Sequence, residues 1–151
     1  MNSSQPPVIL LIADDDPDDR LLARDALAEC GVPVDLRCVE NGVELLDYLL
    51  QRERYELPGL APRPRLILLD LNMPRKGGAE ALAEIKAHPA LKRIPVVVLT
   101  TSRAETDIAR LYDLGANSFI VKPNSFDDLV ERMRVIGKYW LEMVELPGRK
   151  P

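Results

Sequence analysis

The chain has 151 residues, 46 % of them apolar, which is enough for one domain with one buried core. Its net charge of -4 argues against DNA or RNA as the main partner, because phosphate backbones are held by basic surfaces. The opening MNSSQPP lacks a basic n-region, and the longest apolar runs are too short to span a bilayer. A reduced cytoplasmic protein is expected, with Cys30 and Cys38 as small core residues rather than a metal set or a disulfide.

Short apolar runs alternate with helical patterns. VILLIA, Val8 to Ala13, is a continuous apolar run and reads as a buried parallel strand. A helix is expected from Pro17 to Cys30, with Asp16 as N-cap, Pro17 at the first helical position and Gly31 ending it. VDLRCVE alternates like a second strand. Asn41 to Arg52 follows as a helix carrying Val43, Leu46, Leu49 and Leu50. The next stretch, RERYELPGLAPRPR, is rich in proline and reads as a loop without a regular element.

LILLD is a third buried strand ending on Asp70, and NMPRKGG is a loop. A helix over Gly78 to His88 stops at Pro89. IPVVVLTT is the fourth strand and the most β-branched segment. Ala104 to Leu114 is a helix with Gly115 as its C-cap. NSFIVK is the fifth strand, and a last helix runs from Ser125 to about Met143. Phe126, Leu129, Val130, Met133, Ile136 and Trp140 recur at helical spacing and are expected mostly in the core. Five strand–helix units in a row imply a five-stranded, doubly wound parallel α/β sheet with helices on both faces.

In such folds ligands sit at the carboxyl ends of the strands. Those ends carry Asp14, Asp15 and Asp16, then Asp70, then Thr100 and Thr101, then Lys122 and Pro123. Two carboxylates about 4 Å apart repel by roughly 1 kcal/mol in water and about 4 kcal/mol at an effective dielectric near 20. One lysine does not balance three acids, so a hard divalent cation is expected, Mg2+ best of all. Asp18 and Asp19 read as acids solvated at a helix start. A calcium loop fails, because Asp19 stands where that loop needs glycine and Asp25 where it needs glutamate.

The set LLIADDDPDD, LILLDLNMPRKGG, VVVLTTS and GANSFIVKP resembles the receiver domain of two-component response regulators, in order and at the same spacing, from Val8 to about Lys138. The resemblance implies the flavodoxin-like receiver fold, and a phosphoryl group accepted on Asp70 from a phosphohistidine of a sensor histidine kinase. It implies Mg2+ held by Asp14, Asp15, Asp70 and the backbone carbonyl of Asn72. It makes Thr100 the switch hydroxyl, Lys122 the phosphoryl's ion-pair partner, and Phe119 the aromatic residue that turns inward. It also implies a cis Lys122–Pro123 bond. Many receivers carry Tyr at the position of Phe119 and a small residue at that of Thr101, so this chain departs at both. Ser102 and Asn72 fall where receivers tune hydrolysis. His88 is not the donor and reads as a surface or capping residue.

On this reading residues 1–7 are a tail, 8–138 the receiver and 139–151 an extension that forms a homodimer. No output domain follows in the sequence, so signalling through protein contacts is expected, with Tyr139, Leu141, Met143 and Val144 leaving apolar surface for an interface that also takes Trp140, since Trp and Tyr are favoured anchors. The ending YWLEMVELP is similar to single-domain regulators that work with phytochrome-type kinases. Two other readings are an aspartyl-nucleophile phosphatase, which usually has a second acid where this chain has Asn72, and a degenerate receiver acting only by docking. The intact set Asp14, Asp15, Asp70, Thr100 and Lys122 argues against the second.

Overall fold

The structure, a computed structural model, describes residues 7–29 and 33–147. Cys30 and Gly31, and with them the expected helix end, lie outside the described residues. The strands are β1 (Val8–Ala13), β2 (Val34–Val39), β3 (Leu66–Leu69), β4 (Val96–Thr100) and β5 (Ser118–Val121). The helices are α1 (Pro17–Leu27), α2 (Gly42–Leu49), α3 (Gly78–Ala87), α4 (Glu105–Asp113) and α5 (Phe126–Ile136). All strand pairs are parallel, in the order β2-β1-β3-β4-β5. No helix of the described residues is long and apolar enough to cross a membrane.

The sheet is covered on both faces, which is why its inner strands are apolar up to the polar Thr100 that closes β4. Leu11 and Ala13 of β1 point into one layer, against α2, α3 and α4. Leu10 and Ile12 point into the other, against α1 and α5. Each fully buried Leu or Ile contributes roughly 1.5–3 kcal/mol.

The caps explain most helix starts. Asp16 accepts the Asp18 N–H at 2.9 Å, and Pro17 follows at the first helical position. Asn41 accepts the Glu44 N–H, while Glu44 accepts the Glu40 N–H, both at 2.8 Å. Gly115 ends α4 at φ 109°, as a left-handed cap should. His88 caps α3 and accepts the Ala90 N–H at 3.0 Å.

Four expectations need correction. Helix α2 ends at Leu49 rather than Arg52, because Gln51 and Glu53 take positive φ. The proline-rich loop does contain a regular turn, a 3-10 turn over Glu53–Glu56. Its anchor is Tyr55, which is buried edge-on against Tyr48 and donates to Glu44 at 2.6 Å. Phe126 stands 67 % exposed on α5, outside the core. The last helix is not one α-helix: α5 stops at Ile136, and Gly137–Met143 continues as a π-helix. The buried positions Met133, Ile136, Leu141 and Leu146 are spaced too widely for 3.6 residues per turn. An i→i+5 turn, such as Val144 N–H to Tyr139 C=O at 3.0 Å, brings Leu141 onto the core.

One side of the described C-terminal segment is therefore covered by its own domain. Leu141 is buried, and Trp140 and Val144 pack against the α1/α5 layer. Tyr139 and Met143 remain exposed, at 51 % and 70 %. Of the four residues expected to lack cover, these two do, whereas Leu141 and Val144 do not.

Candidate functional site

The parallel register places the ends of β1, β3, β4 and β5 on one rim. Asp14 follows β1, and its N–H bonds Val39 C=O at 3.0 Å. Asp70 follows β3, and its N–H bonds Ala13 C=O at 2.9 Å. These strand-extending bonds fix the two carboxylates side by side. Behind Asp70, the first residue of α3 presses against the chain. A Cβ on Gly78 would stand 2.5 Å from the Asp70 carbonyl oxygen, so only glycine fits this approach.

Asp14, Asp15 and Asp70 offer carboxylate oxygens that all lie within 4.8 Å of one another. Asp14 is buried, Asp15 exposed and Asp70 between the two. Lys122, buried at the end of β5, sets its Nζ 3.1 Å from Asp14 Oδ2, 2.9 Å from Asp19 Oδ2 and 3.6 Å from Asp70 Oδ2. Asp14 Oδ1 accepts the Asp16 N–H at 2.9 Å, and Asp70 Oδ1 accepts the Asn72 N–H at 3.2 Å. The peptide bonds of the described residues are all trans, Lys122–Pro123 included. The lysine reaches the acids without the expected cis bond.

Electrostatics follow from burial and crowding. Burial pushes the Asp70 carboxyl up to about 6, and the charges of Asp14 and Asp15 add to it, while Lys122 and the Asn72 N–H oppose. Burial also raises Asp14. For Lys122, burial acts downward, but the hydrogen bond to Asp19 and the charges of Asp70 and Asp14 outweigh it and hold the ammonium above its ordinary range.

Thr100 is fully buried, and its Oγ1 accepts the Ser102 N–H at 3.4 Å. Ser102 in turn donates to Asp107 at 2.6 Å, tying the loop to α4. Thr101 and Asn72 are exposed at the rim. Phe119 is half-buried against the α2/α3/α4 layer, and its N–H donates to the Tyr112 hydroxyl at 3.2 Å. The structure thus brings together Asp14, Asp15, Asp70 and Lys122. Asp19 is the residue that the sequence reading missed. It lies with Leu22, Ala23 and Ala26 at i, i+3, i+4 and i+7 on the inward stripe of α1. A charge on an inward stripe, near the strand ends, is the signal that marks it.

The response regulator receiver domain family matches residues 10–134. The chain belongs to that family. It is 42 % identical to response regulator Rcp1 of Synechocystis sp. over 147 residues, 97 % of this chain and 98 % of the relative. The crystal structure of the Mn(2+)-bound form of Rcp1 aligns with a TM-score of 0.89 at 42 % identity, covering 94 % of this receiver and all of that chain. The structure of the phosphorylated cyanobacterial phytochrome response regulator RcpA aligns with a TM-score of 0.89 at 43 % identity, over 95 % of this receiver and all of that chain. This receiver is a response regulator related to phytochrome-associated regulators.

Proposed function

We propose that this receiver takes a phosphoryl group on Asp70 from a phosphohistidine of a phytochrome-type sensor kinase in the cytoplasm, with Mg2+ in its acidic cluster. The observation that carries the reading is the convergence of three carboxylates within 4.8 Å, with Lys122 against them. The donor set is all oxygen and its acids outnumber the lysine, which fits a hard dication. Asp14, Asp15, Asp70 and the Asn72 carbonyl would hold it. When bound, Mg2+ supplies charge neutralisation on the transferring group.

The chain's own residues do the rest. A carboxylate oxygen of Asp70 attacks phosphorus, forming the O–P bond as the P–N bond to the donor imidazole breaks and its electron pair leaves on nitrogen. The Asn72 N–H orients the carboxylate. Lys122 pairs with a phosphoryl oxygen, and Thr100 turns its hydroxyl from the Ser102 N–H to another. Phosphorylation brings close to two negative charges and three acceptor oxygens. Phe119, lacking a hydroxyl, reports the change by packing alone.

Output goes to a protein surface rather than to nucleic acid, consistent with the acidic balance of the chain. Residues 139–151 act as the extension beyond the receiver at 8–138. Tyr139 and Met143, the exposed large apolar side chains among the described residues of that stretch, are the anchors for a homodimer. The test of function is incubation with acetyl phosphate and Mg2+ followed by intact mass. One added phosphoryl group is expected on the wild type, and none on Asp70→Asn or after chelation. Phosphorylation of Asp70→Asn to the same extent would overturn the assignment.

A further inference from the structure

The pocket holds one carboxylate more than phosphoryl transfer uses. Asp19 Oδ2 is nearer the Lys122 ammonium, at 2.9 Å, than Asp14 at 3.1 Å or Asp70 at 3.6 Å. The ammonium has three N–H donors. Asp14 and Asp19 engage two of them, whereas Asp70 lies beyond hydrogen-bond reach. The lysine that has to meet a phosphoryl group on Asp70 is thus held on the α1 side of the pocket.

The two holding acids differ. The Asp14 side chain is 8 % exposed and is fixed by the Asp16 N–H, so it has little alternative to Lys122. The Asp19 side chain is 27 % exposed and sits in the first turn of a helix, where water can replace the lysine. Asp14 is a permanent anchor and Asp19 a releasable one.

We propose that Asp19 is a positioning residue that holds Lys122 back from Asp70 until a phosphoryl group arrives, so that its release sets how readily the receiver is phosphorylated. The inference rests on Asp70 being the acceptor. Each phosphorylation event exchanges the Lys122–Asp19 ion pair for one between Lys122 and a phosphoryl oxygen. Weakening the first pair favours the second.

The test uses the full chain with acetyl phosphate and Mg2+, read by intact mass over time. Asp19→Asn is expected to raise the initial rate about three- to tenfold, the worth of one partly solvated hydrogen bond. Asp18→Asn makes the same charge change on an exposed side chain and is expected to stay within about twofold. In a Lys122→Met background, Asp19→Asn is expected to have no further effect, since the cycle isolates the pair. An equal gain from Asp18→Asn, or a gain that survives in Lys122→Met, assigns the effect to the general field and overturns the proposal. A slower Asp19→Asn also overturns it. A crystal structure of metal-free Asp19→Asn reads the same claim without phosphorylation: Lys122 Nζ is expected within about 3.2 Å of Asp70. An unmoved lysine defeats the proposal, even where Lys122→Met fails to fold. A wild type that takes no phosphoryl group, beside a shifted lysine in that crystal, would sink the phosphorylation reading and leave the latch standing.

Discussion

Asp70→Asn is expected to make the metal-free protein more stable, although it removes the group on which the proposed function turns. Burial and crowding raise the Asp70 carboxyl from 3.8 to about 6. The folded chain therefore binds this proton more tightly than the unfolded chain, and stability falls as pH rises through that window. Below pH 3.8 the cost is absent, and above about 6 it is complete. The difference corresponds to about 3 kcal/mol, with little solvent screening because the side chain is 11 % exposed. Asparagine keeps the shape without the charge. A gain of about 2–3 kcal/mol is expected at pH 8 in the presence of a chelator, equivalent to about 5–10 °C in Tm. Urea unfolding followed by Trp140 emission measures it across pH. Magnesium should narrow the gap, because it binds the folded wild type and not the unfolded chain. Equal stability at pH 8, or an advantage that grows as pH falls, would refute the reasoning.

Gly78→Ala places a methyl group 2.5 Å from the Asp70 carbonyl oxygen. It should cost about 1–3 kcal/mol of stability and slow phosphorylation by acetyl phosphate, since the backbone that carries Asp70 has to move; a neutral result would mean that α3 can retreat freely. The two sides of the π-helix should separate cleanly. Leu141→Ala empties a buried site and should cost about 2–5 kcal/mol in urea unfolding. Met143→Lys, at a 70 % exposed site, should leave stability within about 0.5 kcal/mol yet give a monomer by light scattering. Equal stability losses would mean the segment continues in α register, and a dimer that tolerates Met143→Lys would move the interface elsewhere.

The strands were legible because burial on both faces leaves a plain mark: VILLIA, LILL and VVVL are apolar at every position. The helix starts were legible where a side chain closes a local ring, as Asp16, Asn41 and Ser125 do with backbone N–H groups two or three residues on. The acidic site could be read because its members stand at strand ends, where a parallel sheet gathers them. Elements anchored by one side chain reaching onto a neighbouring element left no periodic mark. Tyr55 folds the proline-rich loop through Tyr48 and Glu44, and no pattern within the loop announces it.

By itself, the sequence determined a doubly wound sheet with Asp14, Asp15, Asp70, Thr100 and Lys122 on one rim, because strand alternation and capping act over a few residues. Tertiary packing alone decided that Leu141 turns inward through a π-helix and that Lys122 leans on Asp19 rather than on Asp70. Both outcomes hang on distances between groups far apart in the chain, 103 residues for the Lys122–Asp19 pair, and such distances exist only once the two layers close on the sheet.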